Sequence, residues 1–277
     1  MFTIVAGTGY TGRRVLERLP ADEVAGASRS PIETNRPFHL VDFEALDTTV
    51  FDLPAHYAVL YTCPPSGEND ARLRHFLACL SPAPERLVYI STTGVYGNCD
   101  GARVTEDAPV NPGSRMSRPR VEAESLLAQW ADRTNCDLVV LRAPGIYGPG
   151  RLGIDRLKRG GATLIDDDAS PGNRIHVDDL ATCCIAGLSE EAPAGVYNVG
   201  DGDHRTPTWF ADEVARQAGL PEPRKVSQAQ AEKEFSPARL AFLATSRIVD
   251  TTKMREVLGV TPRYSNPEDG IAASLSR

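Results

Sequence analysis

Gly7, Gly9 and Gly12 stand at GxGxxG spacing in the stretch VAGTGYTGRR, directly after an apolar run and at the entry to a helix-like one. That order is what a phosphate-cradling turn requires. The first glycine permits a tight turn, the second lets a pyrophosphate approach the backbone, and the third lets the helix pack close to the strand. Thr8, Tyr10 and Thr11 complete the loop, and free N–H groups at the helix start face the phosphates. The spacing predicts dinucleotide binding; a glycine-rich turn with no ligand is the plainer alternative.

The residues closing the next strands bear on which dinucleotide. A site for NAD ends its second strand with an acid that holds the ribose 2′-hydroxyl, whereas this chain has Ser28 and Arg29 there. An acid would repel a 2′-phosphate; a guanidinium binds it in a bidentate fork. Arg13, just past the glycines, is a candidate second cation. The site therefore reads as one for NADP, with NAD as the alternative if Arg29 is simply solvated. Asp42 is a candidate for the adenine amino group, and Thr62, Cys63 and Pro64 for lining the nicotinamide ribose. Strand-end turns favour Asp and Pro on their own account, so plain loop structure is the other reading of these residues.

The elements that must position these residues follow from hydrophobic patterning. Apolar runs at 2–7, 23–28, 38–42, 58–63, 86–91, 137–143 and 195–200 read as strands. Helical stretches near 11–19, 69–80 and 118–133 alternate with them, and DDLATCCIAGL forms an amphipathic helix holding Cys183 and Cys184. Continuous apolar strands joined by helices predict an α/β fold, a doubly wound parallel sheet of about seven strands covered on both faces. The rhythm breaks after residue 150. The expected division is a dinucleotide-binding domain of 1–150 plus 174–200, and a smaller C-terminal substrate lobe of 151–173 plus 201–277.

Bulk properties narrow the function class. A net charge of −7 argues against a nucleic-acid surface. No apolar run approaches the roughly 18 residues of a membrane span. The six cysteines show no CxxC spacing and no metal-ligand pairing with histidine, so no metal site is expected. With no basic leader at the start, the expected compartment is a reducing cytoplasm. The stretch 222–247 carries no legible motif, so the small-molecule substrate goes unnamed.

Further blocks resemble the extended short-chain dehydrogenase/reductase family, the NAD(P)-dependent epimerase/dehydratase group. YISTTGVYG (89–97), TEDAPVNPGS (105–114), LRAPGIYGPGR (141–151), NRIHVDDLA (173–181), GVYNVGDG (195–202) and TTKMREVLGVTP (251–262) are similar to its blocks, in the family's order. The resemblance implies a Rossmann-like domain, nucleotide-sugar chemistry and pairing as a homodimer. It makes Thr92 the hydroxyl that assists catalysis, and it places Arg151 and Arg174 where relatives hold substrate or catalytic groups. Ion pairing of these arginines with Asp166–Asp168, Asp178 or Asp179 is the alternative.

The departure lies in NPGSRMSRPRVEAE. In the family a tyrosine moves the proton, and a lysine four residues later lowers the tyrosine pKa and holds the nicotinamide ribose; here the two places fall on Met116 and Arg120. Methionine has no exchangeable proton, while arginine keeps the positive charge and with it the ribose-binding role. This pattern resembles the family's atypical subgroups. Tyr96 and Tyr147 are weak substitute donors. Two functions follow: an NADP-dependent oxidoreductase or epimerase with a relocated proton donor, or a non-catalytic NADP(H)-binding sensor or scaffold. A purely structural protein would leave the glycine loop unexplained.

Overall fold

Strands such as FTIVA, YAVLY and LVYIS are mostly apolar, and buried at nearly every position, because both of their faces are covered. A computed structural model describes residues 1–45, 53–67, 69–114 and 117–276. Seven strands form one sheet: β1 (Phe2–Ala6), β2 (Val24–Ser28), β3 (Phe38–Leu40), β4 (Tyr57–Tyr61), β5 (Arg86–Thr92), β6 (Asp137–Ala143) and β7 (Gly195–Asn198). Their spatial order is β3-β2-β1-β4-β5-β6-β7, and every neighbouring pair is parallel. The order reverses between β1 and β4, so the crevice at the carboxyl ends of these two strands is where such a fold takes a ligand.

Side chains alternate between the two faces. Val5, Leu60, Val88 and Leu141 pack against Val15 and Leu16 of helix α1 (Gly12–Arg18), and against the later helix that carries Leu180, Cys183 and Cys184. Ile4, Val59, Tyr61 and Tyr89 face the other way, onto Leu73 and Phe76 of α2 (Ala71–Ala78) and Leu127 of α3 (Arg118–Thr134). Each such side chain contributes roughly 1.5–3 kcal/mol by leaving water. Pro119 falls in the first turn of α3, where its missing N–H has no partner to lose, and the helix stops at Asn135 in the left-handed conformation. The helix with the paired cysteines is α4 (Val177–Leu188), and both thiols are buried.

Beyond the sheet, α5 (Pro207–Gln217) and α6 (Pro267–Leu275) join Tyr147, Leu152 and Leu157 in a separate apolar cluster. A further one gathers Ala162, Leu164, Val226 and Ala231. Met254, Leu258 and Val260, in the segment expected to belong to the smaller lobe, pack instead in the core of the main sheet. Among the described residues no helix is long and apolar enough to cross a membrane, and no cluster of three or more His, Cys, Asp or Glu side chains could hold a metal ion.

Candidate functional site

The glycine loop leaves β1 at the switch point, and its three glycines answer different demands. Gly7 has φ +97°, and a Cβ there would lie 2.6 Å from Thr62 Oγ1. At Gly12 a Cβ would lie 2.0 Å from the Gly7 carbonyl oxygen, so the helix can approach the loop only through glycine. At Gly9 nothing lies within 4 Å of an added Cβ: that face of the loop is open, a cradle that a phosphate could enter. Thr62, closing β4, donates its hydroxyl to the Gly7 carbonyl at 2.5 Å and so pins the turn. Cys63 lies beside it, and burial pushes its thiol up to about 11; it stays protonated at neutral pH and is no nucleophile. Pro64 is exposed, and its carbonyl accepts from Arg72.

At the end of β2, Thr8 Oγ1 donates to Ser28 Oγ at 2.8 Å, and Ser28 Oγ donates to the Ser30 carbonyl at 2.8 Å. A chain of neutral hydroxyls therefore occupies the place of the acid. Arg29 next to it is exposed, with no ion pair among the described residues. Arg13 is already engaged: its guanidinium bonds Glu17 at 2.7 Å and the Glu33 carbonyl at 2.9 Å. Asp42 is exposed and caps a turn by accepting from the Glu44 N–H. Thr11 is buried, while Tyr10 donates its hydroxyl to the Pro149 carbonyl at 3.0 Å. Two guanidinium groups lie against the Tyr10 ring, Arg151 at 3.9 Å and Arg14 at 4.3 Å from its centroid. Arg151 thus sits at the nucleotide loop.

The end of the cleft at β5 and α3 is different in character. Thr92, at the tip of β5, accepts the Gly94 N–H at 3.1 Å, and its own hydroxyl proton has no acceptor among the described residues. Met116 lies outside the described residues. Arg120 turns toward β5, donating to the Ile90 carbonyl at 2.6 Å and to Tyr89 Oη at 3.1 Å. Burial pushes the Tyr89 phenol up to about 12, an effect that the neighbouring Arg120 opposes. Tyr96 is locked in a buried network: its hydroxyl donates to Asn198 Oδ1 at 2.7 Å and accepts from Arg142 at 2.9 Å. Arg142 pairs with Glu124 at 2.8 Å, and Glu124 also accepts from the Ser91 hydroxyl. Burial raises the pKa of Tyr96 and of Tyr147.

Tyr147 packs edge-on to His176 and Phe210, with its hydroxyl against Gly270 and without a partner among the described residues. Both tyrosines, the weak substitute donors of the sequence, are buried core residues. Arg174, at a place where relatives hold substrate or catalytic groups, is engaged within the protein. It is buried, pairs with Asp203 at 2.8 Å and the Arg205 carbonyl, and stacks on Phe210. Neither Arg151 nor Arg174 pairs with Asp166–Asp168, Asp178 or Asp179 among the described residues; Asp178 takes Arg14 and Arg18 instead.

Two features had no sequence signal. One is the Ser91–Glu124–Arg142–Tyr96–Asn198 network, whose members are far apart in the chain. The other is Asp201, only 2% exposed, with Oδ2 unpartnered among the described residues and its carboxyl pushed by burial up to about 7.

Comparison with known proteins sets this cleft in context. Residues 71–200 match the model of the NAD dependent epimerase/dehydratase family. A UDP-glucose 4-epimerase of Mycolicibacterium smegmatis is 29% identical over 202 residues, 69% of this chain and 61% of that protein. The chain spans 50–61% of the length of that protein and two other curated relatives. A functionally unknown conserved protein from Silicibacter pomeroyi superimposes with a TM-score of 0.82 at 32% identity, covering 100% of this chain and 99% of that one. The UDP-glucose 4-epimerase of Thermotoga maritima with UDP-glucose shares the fold, at 21% identity and a TM-score of 0.80 over 100% and 98% of the two chains.

Proposed function

Because residues 71–200 match the model of the NAD dependent epimerase/dehydratase family, we propose that the chain binds NADP(H) and acts as an NADP-dependent oxidoreductase or epimerase on a nucleotide-sugar-like or carbonyl substrate. The observation that carries the cofactor assignment is the open face of Gly9 beside a strand end that holds the neutral Ser28 and Arg29, which has no ion pair among the described residues. The strand end itself carries a serine rather than the acid that would repel a 2′-phosphate, and a guanidinium follows that can bind one.

When bound, the nicotinamide supplies or takes up the hydride. The chain's own part is positional and acid–base. Thr92 holds its hydroxyl toward a substrate oxygen, its acceptor side fixed by Gly94. With methionine at position 116, the proton that accompanies hydride has no strong general acid. Turnover is expected to be slower than in a tyrosine enzyme by ~10²–10⁴.

One observation favours the second reading, a non-catalytic NADP(H)-binding sensor or scaffold: the Arg120 guanidinium is occupied by Ile90 and Tyr89. Fluorescence titration with NADPH and NADH, followed by stopped-flow absorbance with a carbonyl and nucleotide-sugar panel, separates the possibilities. Tight NADPH binding with turnover supports the enzyme, and tight binding without any turnover supports the sensor. Equal or better binding of NADH defeats the NADP assignment.

A further inference from the structure

We propose that Arg151 binds the pyrophosphate of the dinucleotide, with the Tyr10 ring holding its guanidinium beside the glycine loop. The inference rests on the NADP(H)-binding reading above and adds to it a cation from outside the nucleotide-binding motif. Tyr10 is the residue after Gly9, whose face is open, so a phosphate laid on Gly9 comes next to the Tyr10 backbone. The segment Gly148-Pro149-Gly150-Arg151 is fastened to that same residue. Its Pro149 carbonyl accepts the Tyr10 hydroxyl at 3.0 Å, and a Cβ on Gly148 would lie 2.6 Å from that hydroxyl. With φ +146° at Gly148 and +76° at Gly150, the backbone there takes turns that L side chains rarely adopt. The result is that Arg151 stacks 3.9 Å from the Tyr10 centroid.

The two cations on this ring are not equivalent. Arg14 is committed, bonding Asp178 at 3.2 Å and the Tyr10 carbonyl at 2.6 Å. Arg151 is exposed and has no carboxylate partner among the described residues. A guanidinium held over an aromatic ring keeps its N–H groups for other acceptors, and those groups bind phosphate oxygens in a fork. A merely solvated arginine would need neither the ring nor the tight glycine turns that bring it there.

A diphosphate could come from the cofactor or from a nucleotide-sugar substrate, and the test has an arm for each. Titrate wild type, Arg151→Ala and Arg151→Lys with NADPH, with 2′-AMP, which lacks the pyrophosphate, and with UDP. The expected result for Arg151→Ala is NADPH affinity weakened about tenfold with 2′-AMP unchanged, since one charge-assisted fork is lost. Arg151→Lys recovers part of the loss, because the charge stays and the fork goes. The salt dependence of NADPH binding becomes shallower in Arg151→Ala. Unchanged NADPH affinity, an equal loss for 2′-AMP, or a loss confined to UDP each overturns the proposal. Wild type that binds neither NADPH nor 2′-AMP overturns the cofactor reading itself, and this inference with it.

Discussion

Arg120 donates to the carbonyl oxygen of Ile90 at 2.6 Å, tying the first turn of α3 to the end of β5. The same guanidinium serves Tyr89 Oη at 3.1 Å, and Tyr89 is fully buried. Replacing Arg120 with Ala leaves both oxygens without this donor. The expected cost is ~1–3 kcal/mol for a buried polar group stripped of its partner, read as a lower urea midpoint at unchanged m-value. NADPH affinity stays within about threefold, because this contact is to the strand and not to the ligand. An unchanged midpoint with sharply weaker NADPH binding would instead favour the ribose role for Arg120.

That contact marks the border of what the residues alone disclose. The glycine loop and the seven strands were legible because they depend on local order: apolar periodicity, turn residues and a three-glycine spacing that means something only between a strand and a helix. Where a long side chain points is a different matter. Arg120 reaches back 30 residues to Ile90, Tyr96 reaches forward 102 to Asn198, and Arg174 finds Asp203 across 29. Each block could be recognised, but the destination of its arginine or tyrosine is decided by which buried oxygen lacks a partner once the elements pack. Asp201 is the extreme case. Nothing in GDGD distinguishes it from a solvated turn residue, and its burial comes wholly from tertiary structure.

Asp201 carries a pH dependence whose sign can be worked out. Burial is the main cause that raises its carboxyl from 3.8 in the ordinary state to about 7 in the folded one, partly offset by the Asp203 N–H and by Arg174. Between roughly pH 4 and 7 the folded state therefore holds a proton that the unfolded chain has lost. Stability falls as pH rises through that window and stays lower above it, by on the order of a few kcal/mol. Asp201→Asn keeps an oxygen to accept from Asp203 and removes this titration. It should be more stable than wild type at pH 8 and closer to it at pH 5, in urea melts at each pH. Asp179, raised in the same direction, leaves a residual slope in the variant. Parallel pH profiles for the two proteins would count against the assignment.

Ser28 and Arg29 should separate the two cofactors. Arg29→Ala removes the exposed cation at the end of β2, and NADPH binding is expected to weaken about tenfold while NADH binding holds. Ser28→Asp puts a carboxylate where Thr8 now donates to a hydroxyl at 2.8 Å. It should repel the 2′-phosphate, accept from a ribose 2′-hydroxyl, and move the preference toward NADH. Both are read by fluorescence titration of the two reduced cofactors. An equal loss for NADPH and NADH in Arg29→Ala would place the 2′-phosphate elsewhere.

The glycine loop permits a sharper test, since two of its glycines make opposite predictions. Gly12→Ala would set a Cβ 2.0 Å from the Gly7 carbonyl oxygen, and the obstacle is backbone, which cannot rotate away. α1 must then shift off β1, at ~1–3 kcal/mol of stability, and NADPH binding falls with it because the turn opens. Gly9→Ala meets nothing within 4 Å, and no positive φ stands in its way. Its melting temperature should match wild type or rise slightly, as the unfolded chain loses freedom. Its NADPH affinity should nevertheless drop by about tenfold or more, because the new methyl occupies the approach of the pyrophosphate to the backbone. Thermal melts beside NADPH titrations of the two variants give the comparison directly. If Gly9→Ala binds NADPH as wild type does, the pyrophosphate does not lie on this loop.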